Sequence, residues 1–194
     1  MLMLERSGML WGGNSAGTFV GIKGPTAAVN AAASGGSQSW SPFSGSLASA
    51  IAAHDGNTCN AVTTSNVTSH YLQATGFGYV IPDGATINGV KLTCYMCQYD
   101  DTYTNADLIG MQLISGGVVL GARTRNEGGN LSVGSPTAYT FGSLIDLWGA
   151  TLTPALINAS DFGLQIRANC PGTGGVPNGV QVDYAELQIS YTTV

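Results

Sequence analysis

Apolar and polar residues alternate along several stretches of the chain with a period of two. Val90, Leu92, Cys94 and Met96 share one parity, as do Phe162, Leu164, Ile166, Ala168 and Cys170. Side chains two apart line one face of a strand, so each set predicts a strand with one buried face. Between such stretches stand residues that tolerate tight or left-handed backbone: Asp55-Gly56-Asn57, Pro82-Asp83-Gly84, Asn88-Gly89 and Ser115-Gly116-Gly117. The last of these predicts a hairpin joining strands over 108–114 and 118–122. Further strands are expected over 70–79, 90–99 and 180–191, strand mixed with edge over 138–148, and loops over 100–107, 126–136 and 171–179. Thr153-Pro154 reads as a helix start, with Thr as cap and Pro at the first position, for about one turn over 155–158.

The final strand does not keep its parity. Val180 and Val182 fall on one face, whereas Leu187, Ile189 and Tyr191 fall on the other. Either a bulge lies near Tyr184 or Asp183 points inward, and the bulge is the preferred reading. About eight strands, frequent turns and almost no helix predict an all-β fold, an antiparallel β-sandwich of jelly-roll type.

Residues 1–37 show neither the strand nor the helix period. Gly12-Gly13, Gly17, Gly21, Gly24-Pro25 and Gly35-Gly36 interrupt them, and 27–33 is too short for a convincing helix. The expectation is an extended N-terminal arm over 1–37, rich in Gly, Ala and Ser, ahead of a β-sandwich domain over 38–194. Leu10, Trp11, Phe19, Val20 and Ile22 are apolar enough to dock the arm on a neighbouring subunit. The alternative is an arm folded back on its own domain.

Charge narrows the choice of partners. Charged residues make up 9% of the 194-residue chain, against roughly 25% in an average globular protein. The exterior must therefore be built from Ser, Thr, Asn and Gly, which suits a subunit that packs against copies of itself. The net charge is −5, and Arg6, Lys23, Lys91, Arg123, Arg125 and Arg167 are scattered. Nucleic acid, which is held through clustered Lys and Arg, is not an expected partner. Glu5 and Arg6 interrupt the apolar start, and no apolar run approaches the roughly 20 residues of a spanning helix, so no membrane association is expected.

Candidate chemistry is sparse. Cys94 and Cys97 have metal-knuckle spacing, but on a strand residues three apart face opposite ways, and no second pair completes a site. Cys94 and Cys170 read as small core hydrophobes, with a disulfide left open. His54 sits beside Asp55 in a turn, and adjacent residues cannot supply the separated groups of a catalytic triad. Asp100, Asp101, Asn105 and Asp107 offer oxygen ligands for calcium but lack the spacing of an EF-hand, so a solvated loop is the favoured reading. Tyr95, Tyr99, Tyr103 and Tyr139 could stack on sugar rings, or simply cover a sheet face. No catalytic residue, metal or cofactor is expected.

Three blocks stand in order along the chain: Tyr71-Leu-Gln-Ala-Thr-Gly-Phe-Gly-Tyr-Val-Ile-Pro-Asp-Gly-Ala-Thr-Ile-Asn-Gly-Val90, then Asp146-Leu-Trp-Gly-Ala-Thr-Leu-Thr-Pro-Ala-Leu-Ile-Asn-Ala-Ser-Asp-Phe-Gly163, then Val182-Asp-Tyr-Ala-Glu-Leu-Gln-Ile-Ser-Tyr191. Together they resemble a β-sandwich module of tailed-bacteriophage virion proteins, over residues 40–191. The resemblance implies a non-enzymatic structural role as a capsid decoration (cement) protein that binds the capsid exterior and links subunits. It implies the major capsid protein or other virion proteins as partners, and a location in the virion after assembly in the bacterial host cytoplasm. A homo-oligomer, a trimer at a lattice symmetry axis, is the matching expectation. A tail- or head-fibre component with a carbohydrate- or receptor-binding role is the other. The chain departs from the module in the residues before 38 and in the thiols of Cys94 and Cys97.

Overall fold

The computed structural model describes residues 17–32, 36–100, 106–121, 125–127 and 131–193. Along the chain run β1 (Gly17–Lys23), β2 (Ala27–Ala31), β3 (Gly36–Gln38), β4 (Ser41–Pro42), α1 (Leu47–Ile51), β5 (Cys59–Thr63), β6 (Asn66–Ser69) and β7 (Tyr71–Thr75). They are followed by β8 (Thr86–Gln98), β9 (Asp107–Ser115), β10 (Val118–Val119), β11 (Arg125–Glu127), β12 (Thr137–Gly142), α2 (Pro154–Asn158), β13 (Phe162–Pro171) and β14 (Asn178–Thr193).

Two antiparallel sheets pack face to face, each organised around one long strand. In the first, β14 pairs with β8 along one side, and β8 pairs with β12. The other side of β14 is shared end to end by β5, which β4 backs, and β1. In the second, β13 pairs with β9 on one side and is shared by β7 and β6 on the other. There β2 backs β7, and β3 runs parallel to β6. The all-β sandwich expected from the alternation is the fold observed.

The apolar parities meet between the sheets. Val90, Leu92, Cys94 and Met96 of β8 and Phe162, Leu164, Ile166, Ala168 and Cys170 of β13 all belong to one buried cluster. Each fully buried Leu, Ile or Phe contributes about 1.5–3 kcal/mol relative to an exposed one, so this interleaving is the main stabilising term. The parity conflict in β14 resolves as both readings at once. The register against β8 shifts between Val182 and Tyr184, which returns Ala185, Leu187 and Ile189 to the core, and Asp183 at the shift is completely buried.

The expected local signals have mixed outcomes. Gly116 and Gly117, both at positive φ, turn β9 into β10, and Ala85 N–H donates to the Pro82 carbonyl across the 82–85 turn at 3.1 Å. Thr153 caps α2 by accepting from Leu156 N–H, with Pro154 in its first turn. α1, which no apolar period announced, is held by a reciprocal cap between Ser46 and Ser49.

The arm expectation needs correction. β1 and β2 are strands of this chain's own two sheets, and the segment between them carries the backbone from one sheet to the other at a common edge. Residues 17–31 therefore belong to the sandwich, and no boundary falls at residue 38. The docked arm survives as an expectation only for residues before 17, which lie outside the described residues. Asn88-Gly89 is also not a turn: both residues lie within β8.

Candidate functional site

Among the described residues, β1 is the outermost strand beside the C-terminal half of β14, with Lys23 opposite Leu187 and Gly17 opposite Thr193. Its expected interface residues are exposed: Phe19 46%, Val20 46% and Ile22 54%. Alternation sends Val20 and Ile22 to one face with Thr18, and Phe19 to the other, where its ring stacks on Tyr191 at 5.4 Å between centroids. Tyr79 stitches the end of this pairing: its hydroxyl donates to the Leu187 carbonyl and accepts from Lys23 N–H. Burial pushes the Tyr79 hydroxyl above the usual phenol range, aided by the charge of Glu186. Leu10 and Trp11, the other two interface candidates, lie outside the described residues.

Beside Val20 opens a groove of about 670 Å³ whose far wall includes Leu144 and Ile145, the latter 85% exposed. A chain of small constraints places that wall. Gly89 lacks a side chain where the 144–146 backbone crosses β8; a Cβ there would lie 2.4 Å from Ile145 N. Val90 N–H donates to the Asp146 carbonyl at 2.9 Å. Trp148, held at φ 58°, inserts its ring into the core and donates from Nε1 to the Val90 carbonyl at 2.8 Å. A second hollow, lined by Gly21, Lys23, Gly78, Val80 and Tyr191, lies on the opposite side of β1.

The second constellation is His54 with Asp183, which sequence adjacency concealed because 129 positions separate them. His54 Nδ1 contacts Asp183 Oδ2, and Gly56 N–H donates to Asp183 Oδ1 at 2.9 Å. The carboxylate is fully buried while the His54 side chain stays half exposed. The imidazole stacks on Tyr95 at 4.3 Å, and Tyr95 lies 6.0 Å from Tyr184. The parity break at Asp183 was the one available signal that this residue is special.

This pair locks the 52–56 turn onto the β14 bulge. His54→Ala should cost about 2–4 kcal/mol, around the lower end of the ~3–5 kcal/mol for breaking a buried pair, because half-exposed His54 leaves room for water. Adding Asp183→Asn to that variant should return part of the loss, since the amide carries no stranded charge. Urea titration of the two single variants and the double variant measures the coupling; additive losses would show that the pair is not a unit.

The remaining candidates separate. All four thiols are buried and unpaired, so the disulfide left open between Cys94 and Cys170 is not formed. Cys94 lies in the core, whereas Cys97 lies off the core cluster, with Sγ 3.6 Å from Gln181 Oε1. Burial raises the thiols of Cys59 and Cys170 to about 12 and Cys97 to about 11, and pushes Cys94 up as well, so none is a ready thiolate. Of the calcium candidates, Asp101 and Asn105 lie outside the described residues; Asp100 N–H donates to Asn178 Oδ1, and Asp107 begins β9. Among the described residues, no three His, Cys, Asp or Glu side chains are placed to hold a metal ion. Of the four tyrosines weighed for sugar stacking, Tyr95 is covered by His54, Tyr139 accepts from Ser132 N–H at 2.7 Å, Tyr99 is 46% exposed and Tyr103 lies outside the described residues. His70 Nδ1 sits 3.0 Å from the Asn30 amide beside the β2 edge. No protein-family model matches this chain, and no curated protein matches it in sequence.

Proposed function

We propose that this chain is a structural protein of a bacteriophage virion, a capsid decoration (cement) protein whose sandwich binds the capsid exterior and whose first strands link subunits. The observation that carries the reading is β1, the outermost strand of its sheet margin among the described residues, which presents Phe19, Val20 and Ile22 to solvent on a molecule with very few charges. Apolar groups exposed together on a sheet margin are characteristic of surfaces covered in an assembly. The resemblance of three ordered blocks to a virion module supports the same reading. The finer winding is a jelly roll in this proposal, supported by β8 and β9, and again β13 and β14, being consecutive strands that occupy opposite sheets. The partners are the major capsid protein and further copies of the chain, the protein is not an enzyme, and it resides in the virion assembled in the host cytoplasm.

Attachment through apolar burial predicts resistance to salt, because screening acts on charge pairs and hardly on apolar contact. Purified chain is added to particles lacking it, and retention is measured from low to near-molar salt. Binding should change by less than about twofold across that range. Loss of the protein at high salt would mean electrostatic attachment and end this account. Copy number separates decoration from the fibre reading: a decoration protein is present in hundreds, a fibre component in a few. The fibre reading further predicts that the isolated chain binds host-cell glycans on an array.

A further inference from the structure

We infer that β1 is a self-pairing edge: two copies of the chain join antiparallel through β1, about a twofold axis at Val20, and extend the β14 sheet across the interface. Strand edges carry unpaired backbone donors and acceptors, and proteins normally protect them by shortness, Pro, charge, bulges or cover. The other edges among the described residues show such protection, except β12, which is six residues in unbroken register with β8 but exposes no large apolar side chain. β4 has two residues and ends in Pro42, β3 has three, β10 has two, and β11 has three with a register shift. β2 is tied by Asn30, whose side chain accepts from Trp40 N–H. β12 exposes only Thr137, Ala138 and Thr140. β1 has seven residues, pairs with β14 without a register shift, contains no Pro, and bears its one charge, Lys23, at its last position.

The sequence of β1 is complementary to itself in this register. With Val20 opposite Val20 of the second copy, Phe19 faces Gly21, Thr18 faces Ile22, and Lys23 faces Gly17. The single cation is thus kept away from its own copy, where like charges directly opposite would repel. Gly21, already covered on its face by the Tyr79 ring of its own chain, 3.3 Å from where a Cβ would stand, opposes no side chain to Phe19, so the bulkiest residue of β1 meets the smallest. Val20 and Ile22, half exposed in the single chain, are covered on one face, and every outward backbone group of β1 gains a partner. A heterologous protein strand would need to supply this charge and size pattern, whereas a second copy already carries it. The pairing specifies the subunit link of the proposed function and rests on that reading only for its place on the particle. Being isologous, it closes as a twofold pair and not as the expected trimer.

The test uses the full chain. Sedimentation of the wild type should show a dimer, and Val20→Lys, which sets two ammonium groups opposite each other at an exposed position, should weaken association by about tenfold or more without lowering the melting temperature of the monomer. Cysteine variants read the register without depending on that substitution, because the native thiols are all buried. Directly opposed residues have Cβ atoms about 4.5–5.5 Å apart, close to disulfide reach. Under mild oxidation Val20→Cys should cross-link to itself. Thr18→Cys or Ile22→Cys alone should not, because each lies about 13 Å from its own copy, but a mixture of the two should. A monomeric wild type, or cross-linking indifferent to position, overturns the pairing. A monomer that still binds particles would sink the pairing and leave the virion role standing; a dimer with this register that binds no particle would do the reverse.

Discussion

Gly179→Ala is expected to abolish the folded state, or to lower its melting temperature by at least about 10 °C, the drop that a loss of about 4 kcal/mol produces in a domain of this size. Gly179 lies in β14 opposite Val62 of β5. A Cβ added there would stand 1.9 Å from the Ala61 carbonyl oxygen and 2.8 Å from the Val62 Cα. Both obstacles are backbone, so no rotamer change relieves them and β5 must retreat from β14. That retreat breaks the pairing of residues 178–182 with 59–63 and opens the core over Cys59 and Ala61, both completely buried. Since whole domains are stable by only about 5–15 kcal/mol, the loss removes much of the total. Gly84→Ala is the internal control. Gly84 has φ 82° with nothing within 4 Å of the added carbon, so it isolates the backbone cost of about 1–2 kcal/mol. Thermal melts of both variants decide the matter: equal losses would show that the strands can separate and that close approach is not what Gly179 provides.

That prediction also marks where sequence reasoning loses sight of the fold. Glycine carries two different messages that look identical in a sequence. In Gly116-Gly117 it supplies positive φ for a hairpin, and the turn was legible because the residues stand between two apolar alternations. In Asn88-Gly89 the same dipeptide signal sits inside β8, where the glycine makes room for the 144–146 backbone arriving from more than fifty residues away. No local pattern distinguishes the cases, because the second depends on which segment comes to rest there.

The same limit governs the first strands and the His54–Asp183 pair. β8 and β13 were legible because an isolated period of two states which face is buried. β1 and β2 contain Gly and Ala where a reader seeks apolar anchors, and they are strands because β14 and β7 offer them an edge. Phe19, Val20 and Ile22, the interface candidates among the described residues, face solvent, which leaves them free for a contact that exposure alone does not test. Asp183 announced itself only as a parity fault. The fault located the bulge correctly, but the partner that makes a buried carboxylate tolerable lies in a turn whose own neighbour, Asp55, was the more obvious choice.

Trp148→Ala should destabilise the protein by about 3–5 kcal/mol and loosen the groove wall beside β1. The Trp148 ring is almost completely buried, and its indole N–H donates to the Val90 carbonyl. Truncation therefore leaves a large cavity and strands a backbone acceptor, which adds about 1–3 kcal/mol if water does not enter. Trp148 is also the one residue other than glycine among the described residues at positive φ, a backbone cost accepted because the ring anchors the loop that carries Leu144, Ile145 and Leu147. Trp148→Gly separates the two contributions: it loses the same ring but relieves the backbone, so it should be more stable than the Ala variant by about 1 kcal/mol. If the two variants melt together, the left-handed backbone carries no strain. If Trp148→Ala melts within 2 °C of the wild type, well under the ~6 °C that the smallest expected loss implies, the ring is not the anchor. Limited proteolysis supplies the link to assembly, since cleavage within 143–150 should accelerate in both variants while the β8–β14 core stays protected. Only the wild type then keeps a rigid groove wall next to Val20, so loss of particle binding in a variant that retains its β1 dimer would assign the groove to the capsid and the strand edge to the second copy.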